Sequence, residues 1–151
     1  MASRVVSESI TVAAPPEVVF AIVADPRQHA RIDGSGTVLE SVSGPERLSQ
    51  GAQFGMSMRI GLPYRITNRV VEFDEGRLIA WRHLGGHRWR YELEPVEGGT
   101  RVTESFDYSH YPALKAAAID ALGLPARNRR GIRETLTRLK AAAEQAAVTA
   151  T

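Results

Sequence analysis

The chain has 151 residues, with 19 Lys and Arg against 17 Asp and Glu, so its formal charge is only +2. Despite a sequence pI near 9.3, that balance gives no field that argues for nucleic acid. The absence of cysteine removes disulfides, thiol nucleophiles and cysteine metal sites, and no apolar run approaches the ~20 residues of a membrane span. A hydrophobic content of 43% and a charged content of 24% are ordinary for a globular domain. The N-terminal stretch MASRVVSESITV has no apolar core of signal-peptide length. The expectation is one cytoplasmic domain over residues 1–151, with its core at about 5–147 and VTAT as a frayed tail.

In chain order, Ser7 to Val12 alternates as a strand, and Pro15-Pro16 opens a helix in which the missing N–H groups cost nothing. Val19, Ile22 and Val23 lie at helical spacing, and Asp25-Pro26 stops the run. The polar segment Arg27 to Thr37, with Gly34 and Gly36, reads as a loop. The period then changes to two. Strands are predicted at Val38–Ser43, Gln53–Ile60, Tyr64–Phe73, Leu78–His83, Arg88–Val96 and Arg101–Tyr108. Their breaks are short and rich in Gly and Pro, as hairpins of an antiparallel meander require. Residues 112–122 are Ala-rich and predicted helical. Pro125 leads a long last helix with Ile132, Leu136, Leu139, Ala143 and Ala146 on one stripe.

Hairpin lengths test whether the aromatic residues share a face. A three-residue Leu84–Gly86 loop sets His83 against His87, Trp81 against Trp89, and Ile79 against Tyr91. A Gly98-Gly99 turn sets Leu93 against Glu104, Tyr91 against Phe106, and Trp89 against Tyr108. A Glu75-Gly76 turn pairs Val70 with Trp81 and Asn68 with His83, and a Gly61–Pro63 loop pairs Met58 with Ile66 and Met56 with Asn68. All four turns preserve parity, so one sheet face collects these residues. The other face, with Arg59, Arg65, Arg69, Arg82, Arg88, Arg90, Glu92, Glu94, Arg101 and Asp107, is a solvent face. This register turns Glu72 inward and Phe73 outward, a conflict that predicts a bulge. Asn68, His83, His87 and Glu104 are isolated polar groups on the apolar face, which implies either a mutual network or a cavity holding water and ligand.

The stretches ITVAAPPEVVFAIVADPRQH, RVVEFDEGRLIAWRH and HRWRYELEPVEGGTRVTESFDY, in this order, resemble the START-like SRPBCC superfamily, and within it the bacterial polyketide cyclase/dehydrase-like proteins. The likeness spans about residues 5 to 145. It implies the α+β helix-grip (Bet v 1-like) fold: a curved seven-stranded antiparallel sheet wrapped around a long C-terminal helix, with a short helix after the first strand and a hydrophobic cavity between. Many members carry a Trp shortly after the Asp-Pro helix stop. Here the segment ARIDGSG has Ile32, so any role of that Trp is not carried over.

The ligand-binding candidates are Met56, Met58, Asn68, Trp81, His83, His87, Trp89, Tyr91, Glu104, Phe106 and Tyr108. Each of the aromatic residues and methionines serves equally as core packing. Glu104, once desolvated, is either an acid–base group or a carboxyl that bonds a neighbour and polarises the wall. His83 is the second catalytic candidate. His83 and His87 alone make a poor zinc signature, and His29 and His110 lie in other loops, so no metal and no cofactor is expected. The run RNRRGIR at 127–133 holds four Arg, read as a solvated helix face whose place near a helix N-terminus is unfavourable for cations.

Three functions follow. The first is binding of a small hydrophobic ligand, whether aromatic, polyketide-like or lipid-like. The second is a cofactor-independent aromatase, cyclase or dehydratase using Glu104 and His83. The third is a protein-interaction module acting through Arg129, Arg130 and Arg133. A homodimer stays open.

Overall fold

The computed structural model describes residues 4–82 and 86–149. Seven strands, β1 (Val5–Val12), β2 (Val38–Ser43), β3 (Gln53–Ile60), β4 (Leu62–Asp74), β5 (Leu78–Arg82), β6 (Arg88–Val96) and β7 (Gly99–Asp107), form one antiparallel sheet. The strand order is β1-β7-β6-β5-β4-β3-β2. Four helices accompany it: α1 (Pro16–Val23), α2 (His29–Ile32), α3 (Ala113–Ala121) and α4 (Leu124–Thr149). Three of the predicted strands (β2, β3 and β6) have the predicted bounds. The segment expected as a loop after residue 27 instead holds a 3-10 turn at Pro26–Gln28 and the single turn α2. The Asp25 carboxylate caps the 3-10 turn by accepting from the Arg27 N–H at 3.0 Å.

Face parity is as the alternation predicts, but two hairpins are shifted by two residues. β5 and β6 pair Trp81 with Trp89 and Ile79 with Tyr91, as expected, while the His83 pairings lie outside the described residues. Between β6 and β7 the turn is Glu97-Gly98, so Tyr91 faces Glu104 and Trp89 faces Phe106. The glycine pair misled the register because Gly99 is needed inside the strand. A Cβ there would lie 1.9 Å from the Val12 carbonyl oxygen. Between β3 and β4, Met56 faces Ile66 and Met58 faces Tyr64, with Gly61 alone at the tip.

The predicted bulge falls between Val70 and Glu72. It returns Phe73 to the inner face, where its ring meets Phe20 at 5.7 Å. It also turns Glu72 outward, where the carboxylate accepts from Arg88 at 2.8 Å and Arg90 at 2.7 Å. Arg90 reaches Asp107 as well. The outer face is therefore not wholly solvated: beneath these arginines Ala80, Ser105 and Asp107 are buried.

α4 runs across the inner face. Its buried residues Ile132, Leu136, Leu139 and Ala143 pack with α1 residues such as Val19, Phe20 and Val23 in the main core. Polar clamps fix it to edge strand β1. The Glu8 carboxylate accepts from Arg129 at 2.8 Å and Arg133 at 3.0 Å, and the Lys140 ammonium donates to the Thr11 carbonyl. On its other side α4 meets the loop after α2. The Gly34 N–H donates to Thr135 Oγ1 at 2.8 Å.

That approach is so close that a Cβ on Gly34 would lie 2.5 Å from Glu134 Cβ and Thr135 N. By contrast, a Cβ on Gly131 would meet nothing nearer than Ser35 at 3.7 Å. The two glycines should thus respond with opposite signs. Gly34→Ala is expected to destabilise by about 1–3 kcal/mol through overpacking. Gly131→Ala should stabilise by up to about 1 kcal/mol through helix propensity. Urea unfolding of both variants checks this, and equal effects would refute the packing described.

Candidate ligand cavity

The first fully buried side chain of α4 is Ile132, and a cavity of about 650 Å³ opens beside the part of the helix before it. β3 supplies Phe54, Met56 and Met58, and β4 supplies Ile66 and Asn68. Trp81, His87, Trp89, Tyr91, Glu104 and Phe106 form the wall across β5, β6 and β7. Lys115 and Ile119 of α3, and Leu124, Arg127, Asn128, Arg130 and Gly131 of α4, also line it. Its volume and mainly apolar wall are typical of small-molecule sites.

Nine of the residues singled out from alternation thus surround one cavity, and His83 lies outside the described residues. Tyr108 does not line it. With β7 shifted by two, its place opposite Trp89 belongs to Phe106. Tyr108 instead stacks on Phe106 at 5.4 Å and donates its hydroxyl to Asp120 at 2.6 Å, tying α3 to the sheet.

Other residues enter that the sequence did not single out. Phe54 and Ile66 share the parity of Met56 and Met58, so alternation already contained them. His29 is different, because it reaches the cavity only through the unforeseen turn α2. It is buried, stacks on Trp81 at 4.8 Å, and sets Nε2 2.8 Å from the Val23 carbonyl. Burial lowers its pKa, so it is neutral. Ile32 is buried and lines the cavity. His87 Nδ1 lies 2.5 Å from the Tyr111 hydroxyl. Among the described residues no group of three His, Asp or Glu side chains could hold a metal.

Glu104 is the chemically distinctive group. It is 4% exposed, and its Oε1 has no hydrogen-bond partner among the described residues. Burial pushes its pKa up to about 8; the Tyr91 hydroxyl lowers it and the charge of Asp33 raises it further. The same burial, with Glu104 beside it, raises the Tyr91 hydroxyl well above its ordinary value. At neutral pH the cavity therefore holds a largely protonated carboxyl and a neutral phenol. Asp33 itself accepts from the Ser35 N–H at 3.1 Å, the Ser35 hydroxyl at 2.7 Å and the Val38 N–H at 3.2 Å.

A curved sheet gripping a long helix, with a cavity in the grip, defines a helix-grip protein. The profile of the family described as polyketide cyclase/dehydrase and lipid transport matches residues 3–144. The chain belongs to that family, and with it to the START-like SRPBCC superfamily. It is 46% identical over 138 residues to the uncharacterized protein Rv0088 of Mycobacterium tuberculosis, covering 89% of this chain and 62% of the relative. The chain thus spans less than two thirds of the length of that curated relative. Among solved structures, protein CV1439 of Chromobacterium violaceum superposes with a TM-score of 0.72 at 21% identity, covering 93% of this chain and 97% of that one. The Polyketide_cyc-like protein Cgl2372 of Corynebacterium glutamicum gives 0.59 at 25% identity, covering 92% and 90%.

The raised pKa of Glu104 makes stability depend on pH. An unfolded carboxyl titrates near 4.5 and the folded one near 8, so between these values the native state holds a proton that the unfolded chain does not. This contribution is complete below pH ~4.5 and is lost as pH rises toward 8. Wild-type stability should fall by about 3–4 kcal/mol from this group over that window, and Glu104→Gln should remove that component. Urea midpoints at pH 5.5 and 8 for both proteins check it. Equal slopes for both would mean that Glu104 titrates normally.

Proposed function

We propose that the protein binds a small, mostly hydrophobic ligand in this cavity, with an aromatic, polyketide-like or lipid-like body. The protonated Glu104 carboxyl donates a hydrogen bond to a carbonyl or hydroxyl on the ligand. The supporting observation is the unpartnered Glu104 oxygen on the wall of a mainly apolar space. A buried polar atom left unmade costs about 1–3 kcal/mol, a cost that a ligand acceptor offsets. The aromatic wall suits flat or unsaturated bodies, and Met56 and Met58 adapt to their outline. We place this activity in the cytoplasm; no described helix is long and apolar enough to cross a membrane.

One observation favours a second reading, a cyclase or dehydratase. A carboxyl near pKa 8 facing a neutral phenol across the β6–β7 ladder is suited to proton transfer at a ligand carbonyl. Glu104 would then give its proton to the leaving hydroxyl, which departs as water, and the carboxylate so formed would take the α-proton, while Tyr91 hydrogen-bonds the carbonyl oxygen.

Both Trp residues of the chain, Trp81 and Trp89, line the cavity, so occupancy should change intrinsic fluorescence. Native mass spectrometry of gently purified protein names the passenger, and its titration by Trp emission gives affinity. Trp89→Ala is expected to weaken binding by about 2 kcal/mol. Glu104→Gln keeps a donor, so affinity should stay within about threefold on the binding reading. On the enzyme reading, the same variant loses about a hundredfold or more in turnover with affinity kept. A clean apo mass, with no uptake from an aromatic and fatty-acid panel, would overturn the proposal.

A further inference from the structure

The four arginines of the 127–133 run divide into two pairs. Arg129 and Arg133 are held by Glu8 on edge strand β1, which accounts for half of the run without any partner protein. Arg127 and Arg130 line the cavity, and among the described residues neither side chain has an ion pair. Both are exposed, as is Lys115 from α3, which adds a third cation to the lining and sits over the Tyr111 ring at 4.4 Å. Asp33, the other acidic residue of the lining, already accepts from three donors of its own loop.

These cations stand at the opposite end of the exposure scale from Glu104. The cavity thus combines apolar walls, a buried carboxyl with an unpartnered oxygen, and three exposed cations. Arg127 also lies at the start of α4, the positive end of the helix dipole, where an uncompensated cation is disfavoured and an anion is welcome. An arginine pair beside such a terminus matches a carboxylate or phosphate better than a neutral group.

We infer that the ligand is an amphipathic acid: its apolar body fills the aromatic cavity, its far end meets Glu104, and its anionic end is held at the mouth by Arg127, Arg130 and Lys115. This rests on the cavity being the binding site and specifies what that site takes.

The test uses dansyl-undecanoic acid and its methyl ester, which share one apolar body and differ in charge. Both are titrated by energy transfer from tryptophan into wild type, Arg127→Gln/Arg130→Gln and Arg129→Gln. The acid should bind wild type at least about fivefold tighter than the ester, in the range of partly exposed charge pairs. The double variant should bring the acid down to the ester's affinity and leave the ester unchanged. High salt should shrink the difference in wild type, and Arg129→Gln, with Arg133 still on Glu8, should leave the ratio of acid to ester affinity unchanged. Acid and ester binding alike, or the double variant weakening both equally, would overturn the anionic end while leaving an apolar binding cavity. If a folded protein binds neither probe, both readings fall together.

Discussion

The cavity depends on one mismatch of length. The inner face of the sheet is apolar and aromatic from β3 through β7, but the apolar stripe of α4 begins only at Ile132. From there onward the helix buries Leu136, Leu139 and Ala143 and closes the core. Before it, the cavity-lining positions are Leu124, Arg127, Asn128, Arg130 and Gly131, none of them buried, and they leave open the space above Trp81, Trp89 and Tyr91. A helix held rigidly at one end cannot tilt down to close that space. The clamps on Glu8 and the close contact of Gly34 with Thr135 fix its height on both flanks.

Polarity inside the cavity follows from the same arrangement. Glu104 is directly opposite both Glu8 on β1 and Tyr91 on β6, so three polar residues share one inner row. Their fates differ because of what covers them. Glu8 lies under α4, meets two arginines and is held below its usual pKa by them. Glu104 is one strand further in, beyond the reach of those cations, and burial without a cation keeps its proton on. One row of the sheet thus carries an ionised carboxylate that fixes the helix and a neutral carboxyl that faces the cavity.

Much of this was legible in the sequence. Period-two alternation placed Met56, Trp81, Trp89, Tyr91 and Glu104 on one face, and a register error of two residues could not undo it because parity survives an even shift. Tyr108 shows where that tolerance ends. It lies just past the end of β7, so a slip of two moved it from the wall to the anchor of α3. The bulge at Val71 was readable because Glu72 and Phe73 cannot both be satisfied in a regular ladder. His29 was not readable. Its place depends on α2, a single turn within a polar segment whose two glycines read as loop, and it is fixed by tertiary contacts with Trp81 and Val23 that no local pattern encodes.

The arginine run was the hardest stretch to read, and the reason is geometric. Spacing alone marks 127–133 as a charged helix face, but a helix lying across a sheet edge has two flanks with different neighbours. Arg129 and Arg133, four apart, point to β1, while Arg127 and Arg130, three apart, point to the cavity side. One flank is neutralised within the fold and the other is not. A cluster that looks uniform as sequence therefore does two jobs: one pair fixes the helix that creates the cavity, and the other gives that cavity its charge.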